Sequence, residues 1–331
     1  MHLATLNEKI STFETIYKQL QDKLKWKFSD KRILMVIAST YVLNCRNFQL
    51  DQFLDISNYI KKHVGAFSTL KSYQRFTTAS MLDVRFQNPK EEFHQFIDIY
   101  EQLIRGGFSR GSFTYIAAMA IMTNPSEESY DKERVGRSLD IYREMKKHHF
   151  FLTSSSDYPL AALLSGINVE INHLINRTES LYESLSNKGF KKGNDLQFLT
   201  HILTLHPSIS EDTLVNRSTK QLVAFKKNGV KIKKMHYPEI GMLALLEDTS
   251  GFIERIKVVT EQLNDLKGFK WTKDFNLIFA INFVMSEVIE DKTLLEAGLH
   301  TVMEAIMQAQ QAAMIAAVAG ASAATSSAAN S

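Results

Sequence analysis

The sequence is poor in cysteine, proline and glycine, with one, five and fourteen of them in 331 residues. The single thiol, Cys45, cannot form a disulfide within the chain, which fits a reducing compartment. No nucleophile signature surrounds it, so a catalytic role for Cys45 is not expected. Scarce glycine and proline weigh against an all-β fold, which needs a tight turn every few residues. Long apolar runs are also missing. The longest, residues 33–45, contains Ser39, Thr40 and Asn44 and is too short to span a bilayer. The first twelve residues lack the basic start and apolar stretch of a signal peptide. These absences together predict a cytoplasmic protein.

Chemistry-bearing motifs are absent too. There is no phosphate-cradling glycine loop, zinc-ligand spacing or nucleophile elbow. His148 and His149 are adjacent and point apart, while His201 and His206 are five residues apart and fall off one helix face. No metal site, catalytic residue or cofactor is expected. The net charge of +3 is too small to imply nucleic acid by itself. Apolar residues make up 44% and charged residues 23%, ordinary values for a chain that buries a core.

What is present is a repeat. A lysine- or glycine-rich step is followed by an apolar anchor, a few polar residues and a helical apolar run. The anchors are Phe28, Phe67, Phe108, Phe150, Phe190, Val230 and Phe269, a period of about 40 residues. Other columns keep step with them. Tyr59, Tyr100, Tyr142, Tyr182 and Leu222 stand eight before an anchor, and Leu103, Met145, Leu185 and Phe225 stand five before one. Those two columns are three apart and share one helix face. Gly107, Gly189, Gly229 and Gly268 directly precede anchors, where a left-handed helix stop favours glycine.

Each unit therefore reads as helix A, a turn holding the anchor, and helix B, as in 91–105 followed by 113–122. Pro159 and Pro238 fall where helix B begins, a position that tolerates proline. The pairs Asn88-Pro89, Asn124-Pro125 and His206-Pro207 mark the stops between hairpins. A single hairpin cannot bury its apolar face, so neighbours must stack. The predicted fold is all-α: an α-solenoid of about seven two-helix repeats over residues 1–307, open or curled on itself. A C-terminal capping helix is expected across 294–319. The Ala/Gln/Ser-rich segment 308–331 is expected to end in disorder, or else to dock on a partner or a membrane surface.

Charge separates along this repeat. Fourteen-residue windows around the seven turns hold 24 Lys and Arg against 8 Asp and Glu, while the rest of the chain holds 15 against 28. Stacked hairpins would place all A-to-B turns on one edge. That edge gathers Lys146, Lys147, Lys191, Lys192, Lys226, Lys227, Lys231, Lys233 and Lys234 as candidate anion- or partner-binding residues. The opposite edge collects acid at Glu91, Glu92, Glu127, Glu128, Asp131, Glu133, Glu211, Asp212, Glu247 and Asp248. Helix dipoles explain lysine at the end of helix A. They do not explain Lys31, Lys191, Lys192, Lys231, Lys233 or Lys234, which stand at or after the turn beside the positive start of helix B. The edge is either a solvated surface without a ligand or a surface for an anion: nucleic acid phosphate, an acidic protein or anionic lipid.

A second column, Arg137, Arg177 and Arg217, stands thirteen before an anchor. These residues either pair carboxylates on the adjacent repeat or face a groove as a row of guanidinium groups. Ser154, Ser155, Ser156 and Asp157 read as a loop and helix cap. Trp26 and Trp271, among lysines of the first and last turns, are expected to pack in the core or as caps, with base stacking the alternative.

The segment 139–145 superficially resembles pentatricopeptide helices, but the period departs from that family and its base-reading positions cannot be carried over. A broader resemblance spans nearly the whole chain. The helix containing Phe13-Glu14-Thr15-Ile16-Tyr17, the Gly-Phe repeats and the Ala-rich end after Met314 resemble the bacterial domain-of-unknown-function family 4003 of bacillus-like Gram-positives. That resemblance implies a cytoplasmic bacterial protein and supplies no activity. The expected function is a non-enzymatic scaffold holding a protein partner on the solenoid face or the basic edge. The alternative is a nucleic-acid-binding repeat protein. An enzyme would need polar residues converging from different repeats.

Overall fold

The computed structural model describes residues 5–28, 30–66, 68–122, 128–149 and 151–290, together with Ile306 and Met314. The described residues are all-helical, with no strand among them. In chain order the helices are α1 (Leu6–Leu24), α2 (Arg32–Leu43), α3 (Leu50–Lys62), α4 (Gln74–Arg85), α5 (Pro89–Gly106), α6 (Ser112–Ile121) and α7 (Glu128–His148). There follow α8 (Tyr158–Leu164), α9 (Ile171–Asn187), α10 (Asn194–Thr204), α11 (Glu211–Lys227), α12 (Tyr237–Leu245), α13 (Phe252–Asp265) and α14 (Lys273–Glu290).

The odd- and even-numbered helices differ in pattern. In α5 the apolar residues Phe93, Phe96, Ile99, Tyr100 and Leu103 recur at helical spacing and are buried, leaving a polar face to water. The even-numbered helices are buried nearly all round, as from Ile33 to Val42 in α2 and from Tyr237 to Leu245 in α12. A helix apolar on every side must be enclosed by others. Each odd-numbered helix packs on the even-numbered helix that follows it. Even-numbered helices also pack on one another in succession, from α2 with α4 through α12 with α14.

The Gly-Phe cue is a helix stop of defined geometry. Gly107, Gly189, Gly229 and Gly268 have φ between 75° and 116°, a left-handed conformation that disfavours a side chain. At three of these stops the anchor's N–H reaches back to the carbonyl five residues earlier: Phe108 to Leu103 at 3.0 Å, Phe190 to Leu185 at 3.1 Å, Val230 to Phe225 at 2.9 Å; Phe269 bonds instead to Leu266 at 3.1 Å. The five-residue reach is the Schellman closure, which brings the anchor onto the side chain at the accepting position. The column five residues before the anchor thus has a structural cause.

The anchor also reaches the next hairpin. Phe108 stacks on Tyr158 of α8 at 3.7 Å between ring centroids, and Phe190 meets Tyr237 of α12 at 5.0 Å. Phe269, the last anchor, meets Tyr17 of α1 at 4.7 Å and Phe13 at 5.5 Å. The first and seventh hairpins are therefore in contact. Helix α14 packs on α2, and α1 on both α13 and α14.

Pro159 and Pro238 stand in the first turns of α8 and α12. Ser154 and Asp157 form a reciprocal cap ahead of α8, with the Ser154 N–H donating to the Asp157 carboxylate at 2.9 Å. Cys45, just past α2, is exposed with φ 48°. The anchors Phe67 and Phe150 lie outside the described residues, as do the stop at Asn124-Pro125 and Glu127. So do the capping helix and tail expected after residue 293, apart from Ile306 and Met314, which are helical and buried.

Candidate anion-binding rim

Contacts link each hairpin to the next in an unbroken circuit, running from a turn between odd- and even-numbered helices, or from the helix start just after it, to the first turn of another even-numbered helix. Phe28 of the first hairpin lies 5.3 Å from Phe76 of the second. Thr69 and Tyr115 share a hydrogen bond of 3.0 Å between the second and third. The Ser109 N–H donates to the Tyr158 hydroxyl at 3.1 Å, joining the third and fourth. Gln197 Nε2 donates to Thr153 Oγ1 at 3.1 Å, joining the fourth and fifth. The Lys191 N–H donates to the Tyr237 hydroxyl at 3.1 Å. Lys233 Nζ pairs with Asp274 at 2.5 Å, joining the sixth and seventh. The circuit closes where the Arg32 guanidinium lies 5.0 Å above the ring of Phe275, linking the first and seventh.

The lysine candidates all stand on this rim, exposed. Some are neutralised locally. Lys147 pairs with Glu144 at 2.5 Å, and Lys192 with Glu183 at 2.8 Å, a hydrogen bond that raises the Lys192 pKa. Lys234 Nζ donates to the Lys192 carbonyl at 3.4 Å. Lys191, Lys226, Lys227 and Lys231 show no ion pair among the described residues, nor do Lys270 and Lys273. Lys231, Lys233, Lys270, Trp271, Lys273 and Asp274 surround an open cleft of about 500 Å³. A second cleft of about 280 Å³ lies over the seam between the first and seventh hairpins, lined by Lys31, Arg32, Trp271 and Asp274 among others.

Two exposures correct the expectation from sequence. Trp26 and Trp271 are each 90% exposed rather than packed in the core or as caps. Phe151, in the fourth turn beside Lys146 and Lys147, is 96% exposed. Composition does not reveal which way a turn side chain faces, and the buried anchors Phe28 and Phe269 already occupy the space beneath these turns.

The arginine column serves the other edge. Arg137 donates to the carbonyls of Ile167, at 2.9 Å, and Val169 in the loop after α8. Arg177, 8% exposed, donates to Ile209 at 2.5 Å and His206 at 3.5 Å in the loop after α10. A carboxylate, Glu211, lies 3.7 Å from Arg177. These guanidinium groups fasten the loops between hairpins. Arg217 is half-buried, with Nη1 lacking a hydrogen-bond partner. The acid at Glu91, Glu92, Glu211 and Asp212 falls in the first turns of α5 and α11, where the helix dipole favours it.

One polar cluster joins the fourth and fifth hairpins away from the rim's surface. His149 Nε2 lies 2.8 Å from a Glu179 carboxylate oxygen without a formed hydrogen bond, and its ring is 5.0 Å from that of Tyr182. His201 of α10 is fully buried nearby with Nδ1 unpartnered, and burial pushes its imidazole down to about 3.

Residues 16–312 match the model of the DUF4003 family, described as a protein of unknown function. The chain belongs to that family. It is 40% identical over 302 residues to the uncharacterized protein YeaA of Bacillus subtilis (strain 168), covering 91% of each chain. No solved structure matches the chain at a significant level.

Proposed function

We propose that the seven hairpins form an α-solenoid curled into a closed ring, and that the chain is a non-enzymatic scaffold holding an anionic partner on the lysine-rich turn rim. The carrying observation is the circuit of contacts between the turns and the starts of the even-numbered helices, which supports a reading in which lysines distant in sequence share one edge. A ring of like charge on low-dielectric helix ends attracts anions beyond the reach of any single pair. Placement in the cytoplasm belongs to the same reading and is supported by a cysteine count of one, which leaves no disulfide within the chain.

Heparin-column retention tests the rim. The wild-type chain is expected to elute at clearly higher salt than a variant carrying Glu at Lys226, Lys227, Lys231 and Lys270. Because these four side chains are exposed, the variant is expected to keep its melting temperature. Equal elution of the two folded proteins would remove the rim from consideration.

A further inference from the structure

We infer that the partner is the surface of an anionic lipid bilayer, entered at the headgroup level by Trp26, Trp271 and Phe151. This inference rests on the rim reading above and goes beyond it by naming the partner. The three aromatic rings are 90%, 90% and 96% exposed. All three stand in A-to-B turns, whereas the exposed Val223 and Val258 lie on helices α11 and α13.

Their distribution selects the partner. Trp26 belongs to the first hairpin and Trp271 to the seventh, which meet at the chain's seam. Phe151 belongs to the fourth, half-way round the circuit of contacts. Aromatics at separated points of one rim suit a broad flat partner. A nucleic acid strand would instead call for successive rings along a track, so that neighbouring bases stack in turn. A folded acidic protein would meet a localised patch.

The chemistry around the two indoles agrees. Lys25 and Lys27 flank Trp26, and Lys25 Nζ lies 5.7 Å from the indole. Lys270 flanks Trp271 directly, and Lys273 shares the cleft beside it. Tryptophan prefers the boundary between headgroups and acyl chains, and neighbouring lysine gains from anionic headgroups. A phosphate would find cationic donors in the cleft beside Trp271. No described helix is long and apolar enough to cross a membrane, so the association is peripheral.

Sedimentation of the full chain with vesicles tests this. Vesicles of phosphatidylcholine mixed with phosphatidylglycerol are expected to carry the protein down, and phosphatidylcholine alone is not. Tryptophan emission should shift to the blue on binding, because both indoles leave water. The double variant W26A/W271A should bind these vesicles about tenfold more weakly or worse. Its heparin retention and melting temperature should stay unchanged. Retention on heparin without vesicle binding would overturn the bilayer while sparing the rim. Loss of both in the folded wild-type protein would overturn the rim as well. Vesicle binding with no emission shift and no effect of W26A/W271A would overturn aromatic insertion. Preferential capture of RNA, with tryptophan quenching, would replace the bilayer by a nucleic acid.

Discussion

Lys9 of α1, only 2% exposed, donates to the Ser286 hydroxyl of α14 at 2.6 Å, across 277 residues of sequence. Beside it Phe13 meets Phe269, Phe279 and Phe283 at ring-centroid distances of 5.3 to 5.5 Å. The first helix is thus core for the last. Phe13→Ala should cost about 3–5 kcal/mol, as expected for emptying a buried aromatic site. Hydrogen exchange should then accelerate in α14 as well as in α1 and α2. Undiminished protection of α14 in a destabilised variant would contradict the closure.

The helix stops can be tested through paired glycines. Gly189 has φ 97° with nothing within 4 Å of an added Cβ, so the cost of Gly189→Ala is one of backbone conformation, about 1–2 kcal/mol. Gly136 lies within α7 with equally open space and no left-handed backbone. Gly136→Ala should stabilise by up to about 1 kcal/mol. Urea denaturation of the two variants should move in opposite directions, and a shared direction would refute the assignment.

This contrast shows what was legible in the sequence. The period could be read because four of the seven anchors follow a glycine stop, and the apolar columns keep a fixed distance from the anchors. Closure could not be read, since it depends on the sum of small rotations between hairpins. The arginine column was visible as a column. Its partners were not, because Ile167, His206 and Ile209 accept through backbone carbonyls that every residue carries. Lysine clustering at the turns was visible as a pattern, yet nothing in the sequence distinguished the buried Phe269 from the exposed Trp271 two residues later.

Arg177 and the lysines should separate by experiment. Arg177→Met removes a charged donor from the Ile209 and His206 carbonyls and should cost about 2 kcal/mol. Arg177→Lys should restore little, because an ammonium cannot reproduce the planar fork. Neither change should alter heparin or vesicle binding at a temperature where the protein is folded. Weaker binding by folded Arg177→Lys would return the arginine column to the binding surface.

Two buried groups should shape the response to acid in opposite senses. His201 is held down to about 3 by burial, with His149 adding to the effect. Below about pH 6.5 the unfolded chain therefore takes up a proton that the folded chain refuses, and stability falls. From pH 6.5 to 4 that loss is about 3 kcal/mol. Asp157 behaves inversely: burial lifts its carboxyl to about 6, outweighing the Ser154 and Ser156 hydrogen bonds. Between about pH 6 and 4 the folded chain binds this proton first, so acidification here stabilises, by about 2 kcal/mol. Each variant is compared with its own melting temperature at pH 7. His201→Gln should lose less on going to pH 4 than the wild type does. Asp157→Asn, which keeps a cap acceptor but not the titration, should lose more. Parallel profiles for all three proteins would mean that these two groups do not govern the acid limb.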